Sequence, residues 1–165
     1  MATINFILNG KRVSIQADAE ETLLDILKKM HITSVKRGCE EGVCGTCTVL
    51  LNDRPVLSCL IPAHKVEGQS ITTLEGIDDE LMRIIKEEFT RNFAFQCGYC
   101  TSGFLLTIYA YLKKLINNRG IMYDINNLRL EIAKVLKNNL CRCGAYKEIE
   151  KATISAAIRI KIVKS

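Results

Sequence analysis

Eight cysteines in a chain of 165 residues carry the chemistry that can be read most directly. Cys39, Cys44 and Cys47, with Cys59 following, form the spacing C-x4-C-x2-C…C. That is the plant-type ligand spacing of a [2Fe–2S] cluster, in which four thiolates enclose two irons. The backbone must fold tightly around such a group. Gly42 and Gly45 inside the loop tolerate φ > 0 and let amide N–H groups approach sulfur.

The other four cysteines lie in Cys97-Gly-Tyr-Cys100 and Cys141-Arg-Cys143, each just before a predicted helix. The partial positive charge and free N–H groups of a helix start favour thiolate and stabilise an anionic centre. Four cysteines converging from two helix starts can hold a second [2Fe–2S] cluster. C-x2-C with C-x-C is the less specific set, and a structural zinc ion held by four thiolates is the rival occupant. Short spacings in a chain with long periodic segments argue for metal rather than disulfides. Arg142, between two cysteines, is assigned to steadying cluster or cofactor charge. Tyr99 is expected to pack against the cluster shell, and Lys36-Arg37 reads as a solvated pair. His31 and His64 are isolated and read as structural. No Ser-His-Asp or paired-carboxylate constellation, G-x-G-x-x-G or P-loop stands out, so no substrate site of its own is expected.

The elements that must position these cysteines follow from periodicity. Ile4, Phe6 and Leu8 alternate, Asn9-Gly10 follows, then Val13 and Ile15: a β-hairpin with a type I′ turn. Thr22 caps a helix with Asp25 as capping-box partner, and Leu23, Leu24, Leu27 and Met30 form its apolar face. Thr48–Leu51, a turn at Asn52-Asp53-Arg54, and Pro55–Ser58 read as a second hairpin, and Ser70–Leu74 as one more strand. The period then changes from 2 to 3.6, which places a domain boundary near residues 75–79. Asp78 and Asp79 suit a helix N-terminus, followed by Leu81, Ile84, Ile85 and Phe89. Phe104, Ile108, Leu112 and Leu115, flanked by Leu105, Tyr109 and Ile116, mark a long helix stopped by Asn117-Asn118-Arg119-Gly120. Leu128, Ile132, Val135 and Leu136 mark a third helix, and Ile149, Ala152, Ala156 and Ile160 a fourth. The fold class is α+β: a β-grasp domain over 1–76 and a four-helix bundle over 77–165.

Composition bounds the partners. The sequence has no run of 18 or more apolar residues, so no membrane span is expected. The N-terminus lacks a basic and apolar leader, so a cytoplasmic location is expected. Residues 1–76 carry 8 basic and 9 acidic side chains, residues 77–165 carry 15 and 9. The basic excess is scattered over helices, and two anionic clusters would offset about four of the five net positive charges. Solvated faces or a partner-subunit interface therefore account for it better than nucleic acid.

The sequence resembles the small iron–sulfur subunit of the molybdenum hydroxylases, the group of xanthine dehydrogenase, aldehyde oxidoreductase and aerobic carbon monoxide dehydrogenase. The resemblance runs from about residue 4 to residue 158. It is carried by Gly38-Cys-Glu-Glu-Gly-Val-Cys-Gly-Thr-Cys-Thr-Val49, Ser58-Cys-Leu60, Gln96-Cys-Gly-Tyr-Cys-Thr101, and Asn139-Leu-Cys-Arg-Cys-Gly144 with Tyr146. It implies a plant-type ferredoxin domain whose Cys39, Cys44, Cys47 and Cys59 hold the cluster nearer flavin. It implies a helical domain whose Cys97, Cys100, Cys141 and Cys143 hold the cluster nearer molybdenum. Gln96 matches a glutamine that hydrogen-bonds the pterin cofactor, and Cys143 a ligand close to the pterin.

Three positions depart from that pattern. Ser102 stands where Pro is usual, which should loosen the helix start slightly. Glu40 replaces a common Gly and adds negative charge beside the first cluster. Ala145 follows Gly144 where Thr-Gly is usual. None removes a thiolate or Gln96. The resemblance implies an electron-transfer subunit of a molybdopterin-dependent hydroxylase or dehydrogenase. Electrons would pass from a large molybdopterin-binding subunit, through two [2Fe–2S] clusters, to FAD on a medium subunit, in a heterotrimer or its dimer. An aldehyde is the favoured substrate on family breadth alone. The alternatives are a stand-alone two-cluster ferredoxin and, from another class, a zinc-stabilised interaction module.

Overall fold

The fold is that of a computed structural model, which describes residues 1–118 and 123–163. Strands β1 (Ala2–Leu8) and β2 (Lys11–Ala17) form the first hairpin. Asn9 and Gly10 both have positive φ, at 51° and 80°, as the type I′ turn requires. Helix α1 (Leu23–Lys29) begins at Thr22 with the expected reciprocal box: Thr22 N–H donates to Asp25 Oδ2 at 2.8 Å, and Asp25 N–H to Thr22 Oγ1 at 3.3 Å. It buries Leu23, Leu24, Ile26 and Leu27.

Strands β3 (Thr48–Leu51) and β4 (Arg54–Leu57) form the second hairpin. Its turn is two residues long rather than three. Arg54 already pairs with Leu51, while Asn52 and Asp53 take the positive φ values. Strand β5 (Ser70–Thr72) is shorter than expected, because the chain enters a 3₁₀ turn at Leu74–Gly76. The sheet order is β2-β1-β5-β3-β4, with β5 parallel to β1 and antiparallel to β3.

Four further helices follow: α2 (Glu80–Arg91), α3 (Thr101–Asn117), α4 (Ile125–Leu136) and α5 (Tyr146–Arg159). Asp79 caps α2, accepting from Met82 N–H at 2.9 Å and from Tyr109 Oη at 2.6 Å. The buried face of α2 is Met82, Ile85, Glu88 and Phe89. This is rotated from the expected one, on which Leu81 and Ile84 took the place of Met82 and Glu88. The rotation works because buried Glu88 is paired with Arg91 at 3.0 Å and Arg159 of α5 at 2.9 Å. The expected stripe of α3 is buried except for Ile116, which is partly covered. Of the residues expected to stop α3, Asn118 is its C-cap, and Arg119 and Gly120 lie outside the described residues.

Two apolar cores result. One joins α1 to the inner face of the sheet through Ile4, Phe6, Leu27 and Val49. The other joins the four later helices and takes in Leu50 of β3. Successive strand residues point to opposite faces. Val49 and Leu50 therefore make β3 a common wall between the two cores, with α3 lying against its outer side. Among the described residues, no helix is long and apolar enough to cross a membrane.

Candidate metal centres

The first cysteine set lies in a loop between α1 and β3, closed by the 3₁₀ turn Ser58–Leu60. Three amides aim at one sulfur: Glu41, Val43 and Cys44 N–H donate to Cys39 Sγ at 3.4, 3.4 and 3.3 Å. Cys39 N–H donates to Cys44 Sγ at 3.4 Å. The glycines make this wrap feasible. Gly42 has φ +77°, and a Cβ there would lie 2.5 Å from Leu60 Cδ1; one on Gly38 would lie 2.6 Å from Cys44 Sγ. The amides, led by that of Glu41, draw the Cys39 thiol down to about 7. Burial, then the neighbouring Cys47, pushes Cys59 up to about 11.

The second set comes from two separate helix starts. Cys100 is the N-cap residue of α3, and Cys141 and Cys143 precede α5. Tyr99 N–H lowers the Cys97 thiol, with Cys143 adding to the effect. Burial, then Cys141, raises Cys100 to about 12. Within each set the thiols lie in pairs: Cys39 with Cys44, Cys47 with Cys59, Cys97 with Cys143, Cys100 with Cys141. All eight are free thiols. Among the described residues, no three His, Cys, Asp or Glu side chains close on a single-ion position. Two sulfur pairs per set, with amide donors to Cys39, Cys44 and Cys97, match what a two-iron cluster needs. Cys47, Cys59 and Cys141 are buried, whereas Cys97 is exposed.

The two sets open on one cleft of about 410 Å³, lined among others by Cys39, Cys44, Cys97, Cys100 and Cys141. Direct bonds stitch its walls. Leu140 N–H donates to the Cys44 carbonyl at 2.9 Å. Tyr99 Oη donates to the Arg37 carbonyl at 2.5 Å, and the Lys36 ammonium stands 6.0 Å from the Tyr99 ring centroid. Gly103 of α3 abuts the Gly45 carbonyl so closely that no Cβ would fit.

Several sequence expectations change here. Lys36-Arg37 is no free solvated pair: Arg37 bridges Asp25 at 2.6 Å and Glu40 at 2.8 Å. Glu40 has φ +56°, which is the backbone reason a glycine suits the position, and its charge is matched by Arg37. Tyr99 packs across to the first loop rather than only around its own cysteines. Ser102 does not merely lack the stiffness of Pro, since its hydroxyl donates to the Ser34 carbonyl at 2.6 Å. Ala145 is buried at the N-cap of α5 without a side-chain cap, and Tyr146 Oη accepts from Cys141 N–H at 2.8 Å. Gln96 is exposed and donates to the Cys143 carbonyl at 3.3 Å; Arg142 is exposed on the cleft rim. His31 and His64 are both exposed and lie outside the cleft lining.

Comparison with known proteins agrees with this geometry. The family model described as a 2Fe-2S iron-sulfur cluster binding domain matches residues 6–73, and that described as a [2Fe-2S] binding domain matches residues 73–154. The nicotine 6-hydroxylase small subunit of Paenarthrobacter nicotinovorans is 38% identical over 154 residues, covering 93% of this chain and 88% of that protein. The aldehyde oxidoreductase iron-sulfur-binding subunit PaoA of Escherichia coli K12 is 36% identical over 162 residues, covering 93% and 71%. The crystal structure of quinoline 2-oxidoreductase from Pseudomonas putida 86 contains a chain that superposes with a TM-score of 0.80 at 34% identity, covering 98% of each chain. The chain belongs to the small [2Fe–2S] iron–sulfur subunits of the molybdenum hydroxylase family.

Proposed function

We propose that this chain is the electron-transfer subunit of a molybdopterin-dependent hydroxylase or dehydrogenase. Cys39, Cys44, Cys47 and Cys59 hold one [2Fe–2S] cluster, and Cys97, Cys100, Cys141 and Cys143 the other. Residues 1–76 and 77–165 act as the two cluster-bearing units. The observation that carries the reading is the Leu140 N–H to Cys44 carbonyl bond. It connects a cysteine of one set to the residue next to a cysteine of the other, so a single hydrogen bond bridges two otherwise covalent stretches. When bound, the clusters supply one-electron storage, which lets a two-electron substrate oxidation be passed on singly. The protein's part is electrostatic and steric. Amides of residues 41, 43 and 44 stabilise negative charge on Cys39 sulfur. The bonded cleft walls fix the distance between the sets.

The outer rim of the second set supports a protein partner there. Tyr99 and Leu140, which share the cleft lining, are 49 and 45% exposed, and Phe93 and Phe95, just before Cys97, are 79 and 43% exposed; exposed large apolar side chains near one site favour an interaction surface there. Gln96 is exposed and its amide nitrogen donates to the Cys143 carbonyl at 3.3 Å, which suits a contact with the pterin of a large molybdopterin-binding subunit. A medium subunit carrying FAD takes the electrons from the first set, in a heterotrimer or its dimer. Relatives named for nicotine, aldehyde and nicotinate oxidation share this small subunit, so the large subunit sets the substrate. An aldehyde is retained as the working choice. A reducing cytoplasm suits eight unpaired cysteines.

Metal analysis of the purified chain tests the reading: about four irons and four labile sulfides per chain are expected. Zinc without sulfide would point to an interaction module instead. Co-purification of a molybdenum-containing large subunit is expected, and a free cluster-bearing monomer in cell extracts would favour a stand-alone ferredoxin.

A further inference from the structure

Ser102 sits two residues after Cys100, in the first turn of α3, and is 8% exposed. Ser102 is the second residue of α3, past the Cys100 N-cap position, and its hydroxyl donates across the domain junction to the Ser34 carbonyl at 2.6 Å. Ser34 lies five residues before Cys39. Its N–H and hydroxyl donate to the two oxygens of Glu75 at 2.8 and 2.6 Å. Glu75 Oε2 also accepts from Thr73 Oγ1 at 2.7 Å. Thr73 is fully buried and is held in turn by Asn9, with Thr73 N–H donating to Asn9 Oδ1 at 2.8 Å and Asn9 Nδ2 to Thr73 Oγ1 at 3.0 Å.

We infer that Ser102, Ser34 and Glu75 form a positioning latch that sets the separation of the two cysteine sets. The inference rests on the reading of both sets as [2Fe–2S] sites. The latch reaches from the turn of the first hairpin to the helix that carries Cys100. Every polar group of Ser34 is committed within it, so Ser34 cannot shift without breaking at least one bond. The hydrogen bonds run in one direction, from the Ser102 hydroxyl onto Ser34 and from Ser34 and Thr73 onto a single carboxylate. Side-chain bonds also cross between the loops from Tyr99 to the Arg37 carbonyl at 2.5 Å and from Asn139 Nδ2 to the Gly45 carbonyl at 3.5 Å; the Ser34–Glu75 bonds, like that of Tyr99, lie at the surface, whereas the Ser102 hydroxyl is part-buried. None of the three latch residues is a cysteine or touches one of the sulfurs through a hydrogen bond, so their action on the clusters is through geometry.

The test uses the full chain loaded with both clusters and compares wild type with Ser102→Ala, Ser102→Thr and Glu75→Gln. Iron and labile sulfide are counted. The spin–spin interaction between the two reduced clusters is then read by electron paramagnetic resonance. Ser102→Ala and Glu75→Gln are expected to keep about four irons and the g-values of each cluster, but to lose or narrow the inter-cluster splitting. Ser102→Thr, which keeps the hydroxyl, is expected to retain it. Unchanged splitting in both Ser102→Ala and Glu75→Gln, with iron content intact, would overturn the latch alone. Loss of iron from Ser102→Ala would also overturn it, by making the residue part of cluster retention. Fewer than about four irons in the wild type would overturn the cluster reading and the latch with it.

Discussion

The two cysteine sites are built by different means. In the first, three cysteines fall within one loop, and the donors to Cys39 come from residues 41, 43 and 44 of that loop. In the second, two pairs separated by about forty residues meet only because α3 and α5 pack in one bundle. The first site is a local structure that the rest of the chain covers. The second exists only as a product of tertiary packing. Substitutions in the helical core should therefore reach the second site and spare the first, whereas the first should fail mainly through its own loop.

Removing a thiolate gives the largest effect and tests that separation. Cys47→Ser is expected to abolish the first cluster and leave the second, halving iron and sulfide. Cys141→Ser is expected to do the converse and to block substrate-driven flavin reduction in the assembled complex. Loss of both paramagnetic signals from either variant would show that the sites are not independent.

Gly103→Ala comes next. The added Cβ meets the Gly45 carbonyl, which is backbone and cannot rotate away. A cost of about 1–3 kcal/mol is expected for overpacking of this kind, read as a lower denaturation midpoint. The second cluster's signal should be disturbed more than the first, because α3 is the element displaced.

A pH effect is expected at Glu75. Burial pushes its carboxyl up, but hydrogen bonds from Ser34 and Thr73 outweigh this and hold it at about 2, against an ordinary 4.5. With the folded value depressed, its contribution is complete above pH about 4.5 and fades as pH falls toward 2. Glu75→Gln should therefore be less stable than wild type near neutrality, with the gap closing in acid. Denaturant unfolding at a series of pH values checks this, and a gap constant across that range would contradict it.

The smallest effect is expected at Glu40→Gly. Glycine relieves a left-handed backbone costing about 1 kcal/mol, while the exposed pair with Arg37 contributes about 0–1 kcal/mol. A gain under about 1 kcal/mol follows from these two terms. The potential of the first cluster should rise as a negative charge leaves, with the second unchanged.

Local chemistry was the legible part of this molecule. Asn9-Gly10, Thr22 with Asp25, and the cysteine spacings each act within a few residues, and the structure bears out the turn and the cap. The face of α2 differs from the expected one, because apolar Leu81 and Ile84 outrank Glu88 by residue type, and one of the two arginines that make burial of Glu88 tolerable, Arg159, is 71 residues away. The bonds across the cleft left no trace in residue type. Leu140 and Cys44 meet through backbone groups that every residue has. Ser102 read as a weakened helix start because its partner, Ser34, is 68 residues distant.

The closure at Leu140 also imposes an order on biogenesis. Contacts between residues as far apart as Gly45 and Asn139, 94 positions in sequence, form late, since the chain between them must be organised first. The loop around Cys39 needs only its own neighbours to take shape. Once the segment carrying Asn139 and Leu140 arrives, it caps the Gly45 and Cys44 carbonyls, while Cys39 and Cys44 still line the open cleft. The folding of the second half thus fixes the backbone of the first site without closing its mouth.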